Sequence, residues 1–150
     1  MEHCEHHQAK TDTAATAATV TLHCLAGCSI GEFIGLAIGV EFGLSVAATV
    51  TLATVLAFIT GFALTLYPLV YRRGMTVALA FKTVWIGEVI SIAVMEIAMN
   101  VTDYLVGGMS ATSMFDAIFW IGFAAALVAG YVFAYPVNYV MVKRNMPRCH

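Results

Sequence analysis

A chain of 150 residues that is 61% hydrophobic and only 11% charged, with a mean hydropathy of +0.86, departs from soluble domains, where roughly a quarter of residues carry charge. The net charge of −2 supplies no basic surface for nucleic acid, and the apolar segments leave no room for a second domain. The sequence also lacks a serine with a candidate base, a glycine-rich phosphate loop opening from a strand and a C-x-x-C-H haem pattern, so we read it as a non-enzyme.

The chain opens on a polar tail, residues 1–19, without the basic start and apolar core of a signal peptide. Its "MEHCEHH" carries His3, Cys4, His6 and His7 among Glu2 and Glu5, a composition suited to weak metal capture; the plainer reading is a solvated tail. Spans at about 20–43, 45–71, 77–103 and 115–142 follow. No charge falls between Glu41 and Arg72 or between Asp116 and Lys143, and each gap exceeds the roughly 20 residues that cross a bilayer as helix. Backbone groups must be satisfied within each span, so the expected fold is an all-α membrane protein of four transmembrane helices. A basic tail, 143–150, closes the chain on Cys149 and His150, a second weak capture pair.

Lys10, Arg72, Arg73, Lys82, Lys143, Arg144 and Arg148 are the seven basic residues. They fall in the two tails and around the second loop, which places both termini in the cytoplasm. The tyrosines at 67, 71, 135 and 139 suit an aromatic belt at that interface. Ile30-Gly31-Glu32 recurs as Ile86-Gly87-Glu88, and Tyr67-Pro68 as Tyr135-Pro136. These matches suggest a duplicated helical hairpin with a parallel pseudo-twofold axis, which would set Glu32 and Glu88 at one depth near mid-bilayer.

Helix 1 carries two rows. Gly27, Gly31, Gly35, Gly39 and Gly43 recur every four residues, a small-residue face that lets another helix approach closely. Cys24, Cys28 and Glu32 form a second row about 60° away, expected to face the bundle interior. Two buried cysteines can be packing alone. With His23 beside them, however, thiolates and imidazole suit Cu(I), Zn(II) or a related soft ion. In helix 3, Glu88, Met95 and Met99 share one side, while Glu96, Asn100 and Asp103 continue on an adjoining face. Met95 and Met99 are candidate outer thioether ligands, Glu32, Glu88 and Glu96 a midplane relay, and Asn100 and Asp103 an outer polar pair. The motif-based depth alignment puts Met95 roughly 16 Å outward of Cys28, too far for both to hold one ion.

The stretches "HCLAGCSIGEFIG", "MEIAMNVTDY" and "YPVNY" resemble a family of small prokaryotic membrane proteins known only as a domain of unknown function. The resemblance covers about residues 20–145; it implies a four-helix domain in the plasma membrane and supplies no activity. Met95-x-x-x-Met99 and the terminal Cys149-His150 are similar to features of eukaryotic copper-uptake trimers, at the level of ligands only. The favoured expectation is therefore binding and translocation or hand-over of a soft metal ion, Cu(I) first. The alternatives are a thiol-redox protein using Cys24 and Cys28, and a docking subunit presenting its glycine face to a larger membrane complex. A homodimer is also expected, since four short-looped helices are few to enclose a pathway.

Overall fold

The computed structural model describes residues 3–145, with side chains from 13 to 144. It contains four helices, α1 (His3–Glu41), α2 (Val46–Tyr71), α3 (Val77–Val106) and α4 (Ala117–Asn145), with one 3-10 turn at Gly108–Ser110. There is no strand among the described residues. Thr13–Glu41, Val46–Tyr71, Val77–Val106 and Ala117–Arg144 are long and apolar enough to cross a bilayer. The chain is thus a multi-pass membrane protein built as a four-helix bundle.

Local sequence sets the helix ends. α1 starts well before residue 20 because the run from Thr11 to Val20 is rich in alanine and threonine and holds no breaker; Ala17 is fully buried and Thr13 nearly so. It ends where Gly43 takes a left-handed backbone, φ +62°, a conformation open to glycine without strain. Ser45 accepts from the Ala48 N–H and Thr76 from the Leu79 N–H, capping the first turns of α2 and α3. Gly107, at φ +93°, terminates α3. Pro68 lies inside the last turn of α2, and Pro136 lies inside α4 well before its end at Asn145.

α1 touches every other element, packing most extensively on α2 and then on α4, while α3 packs mainly on α4. The α1–α2 contact is made by backbone. A Cβ on Gly27 would lie 2.8 Å from the Gly61 Cα, and one on Gly31 would overlap the backbone of Leu56 and Ala57. Gly35 meets Ala53 in the same way, and Gly39 meets the Thr49 side chain. The four glycines therefore face Gly61, Ala57, Ala53 and Thr49 in antiparallel order, each set spaced by four, and Thr60 adds a hydrogen bond to the Gly27 carbonyl at 2.7 Å. Gly43 stands apart from this row, as the helix has ended and nothing lies near it.

The α3–α4 contact is built differently. Met95 and Met99 pack into the space over Gly130, and the Asp103 side chain packs over Gly122 and Gly108. Asn138 of α4 donates to the Thr21 hydroxyl of α1 at 3.0 Å, and Phe33 stacks among Phe119, Trp120 and Phe123. At the end formed by the first and third loops, the exposed Glu41 accepts from the Ser113 hydroxyl and the Met114 N–H, both at 2.8 Å. Asp116 accepts from the Thr112 hydroxyl and from the Thr112 and Ser113 N–H groups. These bonds hold its carboxyl below the ordinary carboxylate range.

Candidate functional site

The row Cys24, Cys28, Glu32 faces inward, and all three residues are buried. Its one-turn spacing keeps the side chains on one face of α1, and α3 and α4 close over them. Ser91 donates to the Cys24 sulfur at 3.5 Å, and the Cys24 and Cys28 thiols lie within hydrogen-bond reach of each other. Because α1 and α3 run parallel, the Cys24–Ser91 contact fixes their relative height.

That height corrects the alignment drawn from the Ile-Gly-Glu match. Glu88 lies before Ser91 and Glu32 eight residues after Cys24, so the two carboxyls are separated by about 16 Å along the bundle. Glu88 is half-buried and faces Thr65 and His23. Short sequence identity says nothing about vertical offset, which is set by which side chains interlock. Ser91 meets Cys24, so Met95 comes level with Cys28.

The same shift reverses the separation expected between thiols and thioethers. Cys24, Cys28, Met95 and Met99 belong to one buried cluster with Ile92, Ala57, Ala126 and Ala134. They do not form distant inner and outer stations. His23 stays outside the cluster: it is exposed, and its Nε2 pairs with the Leu64 carbonyl of α2 at 3.2 Å. Among the described residues, no three of His, Cys, Asp and Glu converge closely enough to hold a metal ion. His3, Cys4, His6 and His7 lie outside the described side chains, and Cys149 and His150 outside the described residues.

On the side of the sulfurs toward the first and third loops stands a line of carboxyls. Glu32 lies within electrostatic range of Glu96 and Asp103. Neither Glu32 oxygen has a hydrogen-bond partner, nor does the Oε1 of Glu96, while the Asp103 carboxyl lies against the Met109 N–H. Asn100 donates to the Glu96 carbonyl at 2.8 Å, to the Glu96 Oε2 at 3.3 Å and to the Thr54 hydroxyl at 3.5 Å. Buried acceptors left open in an apolar medium are unfavourable by several kcal/mol, and at a membrane interior they mark places where a proton, cation or donor is received.

Sequence reasoning missed Ser91, Thr54 and Asn138. Asn138 was signalled as an amide deep in an apolar helix; serine and threonine are so common at helix contacts in membranes that Ser91 and Thr54 carry no distinguishing mark. Four glycines of the row, Gly27, Gly31, Gly35 and Gly39, are covered by α2 within the chain, while Gly43 is not.

Comparison with known proteins adds the family. The model of a domain of unknown function (DUF4396) matches residues 13–146, and the chain belongs to that family. The comparisons with curated proteins and with solved structures each give no match.

Proposed function

We propose that this DUF4396 member is a membrane-embedded binding and hand-over protein for a soft metal ion, Cu(I) first, held by Cys24 and Cys28 with Met95 and Met99. The observation that carries the reading is the gathering of two thiols and two thioethers in one buried cluster. Thiolate and thioether sulfur select Cu(I), and a fourfold-sulfur set needs no third His, Cys, Asp or Glu. Met95 and Met99 thus act beside the thiols and not as an outer relay, and His23 has no ligand role.

Ligation requires thiolates, so binding releases protons. Glu32 follows Cys28 by one turn with both oxygens unpartnered, which suits it to receive one, and Glu96 and Asp103 extend the same line of acceptors outward. The basic residues of the second loop and the tails favour a cytoplasmic location for both termini.

Anaerobic loading of detergent-purified protein with Cu(I), followed by metal analysis, tests the reading. About one copper per chain is expected, absent in Cys24→Ser/Cys28→Ser and weakened about tenfold or more in Met95→Leu/Met99→Leu. Deletion of the tails leaves it unchanged. Loss of copper with the tails alone, or none in any form, defeats the proposal.

The mutual contact of Cys24 and Cys28 also favours thiol-redox chemistry, since Cα atoms four apart on a helix are about 6 Å apart, within disulfide range. A reversible Cys24–Cys28 disulfide in protein that binds no copper selects that reading; unreactive thiols across a redox titration remove it.

A further inference from the structure

Between α2 and α3, which pack less closely than α1–α2, α3–α4 or α1–α4, lies a cleft of about 340 Å³ lined by Val50, Thr54, Phe58, Glu96, Ile97 and Asn100 among others. The volume is at the lower end for small-ligand pockets, which are apolar with a few placed polar groups. This cleft has that character, with apolar walls and one polar end formed by Glu96, Asn100 and Thr54. It shares Phe58 with the wall of the sulfur cluster, and none of the four sulfur residues lines it.

At the polar end the Thr54 hydroxyl is spent on the Glu96 carboxyl, and the groups left open are acceptors. The Asn100 amide nitrogen is committed to the Glu96 carbonyl, the Glu96 Oε2 and the Thr54 hydroxyl. A backbone carbonyl can only accept, so it fixes which end of the carboxamide faces it. That leaves Asn100 Oδ1 and Glu96 Oε1, both without a partner, on residues only 9% and 3% exposed. Two open acceptors, one belonging to a carboxyl, call for a ligand that donates hydrogen bonds and carries positive charge.

The surroundings define the rest of the ligand. Ile97 and Val101 on the rim are exposed on the face that meets lipid, so the cleft opens sideways and its walls accept an alkyl chain. Taking the middle of α3 as mid-bilayer, Glu96 lies about 7 Å from the centre, well below the level of phospholipid headgroups, whose boundary is about 15 Å out. We propose that the α2–α3 cleft binds a single-chain alkylammonium, its nitrogen donating to Glu96 and Asn100 and its chain lying along Phe58, Ile97 and Val101.

The test uses the full chain in a neutral detergent, with dodecylamine, dodecanol and dodecanoate as probes of equal chain length, read by native mass spectrometry. A one-to-one dodecylamine adduct is expected, at least about tenfold tighter than that of dodecanol, with dodecanoate weakest. Glu96→Gln should abolish the advantage of the amine. Val101→Trp, at an exposed position that leaves the bundle core intact, should block all three. Phosphatidylethanolamine in place of phosphatidylcholine in nanodiscs should not displace the amine. Equal binding of amine and alcohol, an amine preference that survives Glu96→Gln, or displacement by phosphatidylethanolamine overturns the proposal, as does binding indifferent to Val101→Trp.

Discussion

The two hairpins of this bundle reach close helix contact by opposite means. In α1–α2 both helices present small residues, Gly27, Gly31, Gly35 and Gly39 against Gly61, Ala57, Ala53 and Thr49, and almost no side chain stands between them. In α3–α4 only α4 is small at the contact, and α3 drives Met95, Met99 and Asp103 toward Gly130 and Gly122 of α4, Asp103 also lying over Gly108 of the 3-10 turn. The first solution makes a rigid backbone seam; the second makes a contact that is itself a row of chemically useful groups. A helix that spends one face on glycine must carry its polar groups on another, as α1 does with Cys24, Cys28 and Glu32. A helix packed through its side chains can use the packing residues directly.

The sharpest way to break this comparison is to add one methyl group to each seam. Gly31→Ala forces Cβ onto the Leu56–Ala57 backbone, which cannot yield, and should destabilise the bundle by at least about 2 kcal/mol; Gly43→Ala, with open space but a left-handed backbone, should lose about 1 kcal/mol. Reversible unfolding in mixed micelles measures both, and equal effects would contradict a backbone seam.

Next in size, Gly130→Ala brings a methyl 2.7 Å from Met99 Cγ and 2.8 Å from its sulfur. These are atoms of a flexible chain, so we expect about 1 kcal/mol, together with altered copper affinity if the proposed sulfur site is correct. A change as large as that of Gly31→Ala would mean that the second seam is as unyielding as the first.

Smaller still is the link between hairpins. Thr21→Val removes the acceptor for Asn138 while keeping the shape, and should lose about 1 kcal/mol or less, read in the same unfolding assay; no loss would show that the amide finds another partner. The smallest effect belongs to the third loop. The Asp116 carboxyl sits below its ordinary range, so its contribution is full above the unfolded pKa and fades as pH falls through the folded one. Amide-exchange protection at Thr112 and Ser113, corrected for intrinsic rate, should drop on acidification, and Asp116→Asn should remove that pH dependence.

Much of this was legible in the sequence. Two charge-free runs gave α2 and α4, sparse charges in long apolar stretches gave α1 and α3, and the glycine row gave a close helix contact. The partner of that contact was spelled out too, since Thr49, Ala53, Ala57 and Gly61 repeat every four residues just across a short loop, yet alanine and threonine draw less notice than glycine. The height of α3 was not legible. It depends on Ser91 meeting Cys24 and on methionines fitting glycine notches, long-range contacts that no local motif records. The misplacement of Glu88 beside Glu32 and the separation of Met95 from Cys28 both followed from that one offset.

The central position of α1 has a consequence for how the protein is made. It has the lowest hydropathy of the four spans, 1.5 against 1.8 to 2.1, and the most buried interior, half of its apolar window, yet it is the first to emerge from the ribosome. Its glycine seam requires only α2, so the first hairpin can close early and carry α1 out of the insertion machinery as part of a pair. Its cysteines and Glu32 then face lipid until α3 and α4 arrive, and the time between the two hairpins becomes the interval in which this chain most needs shelter.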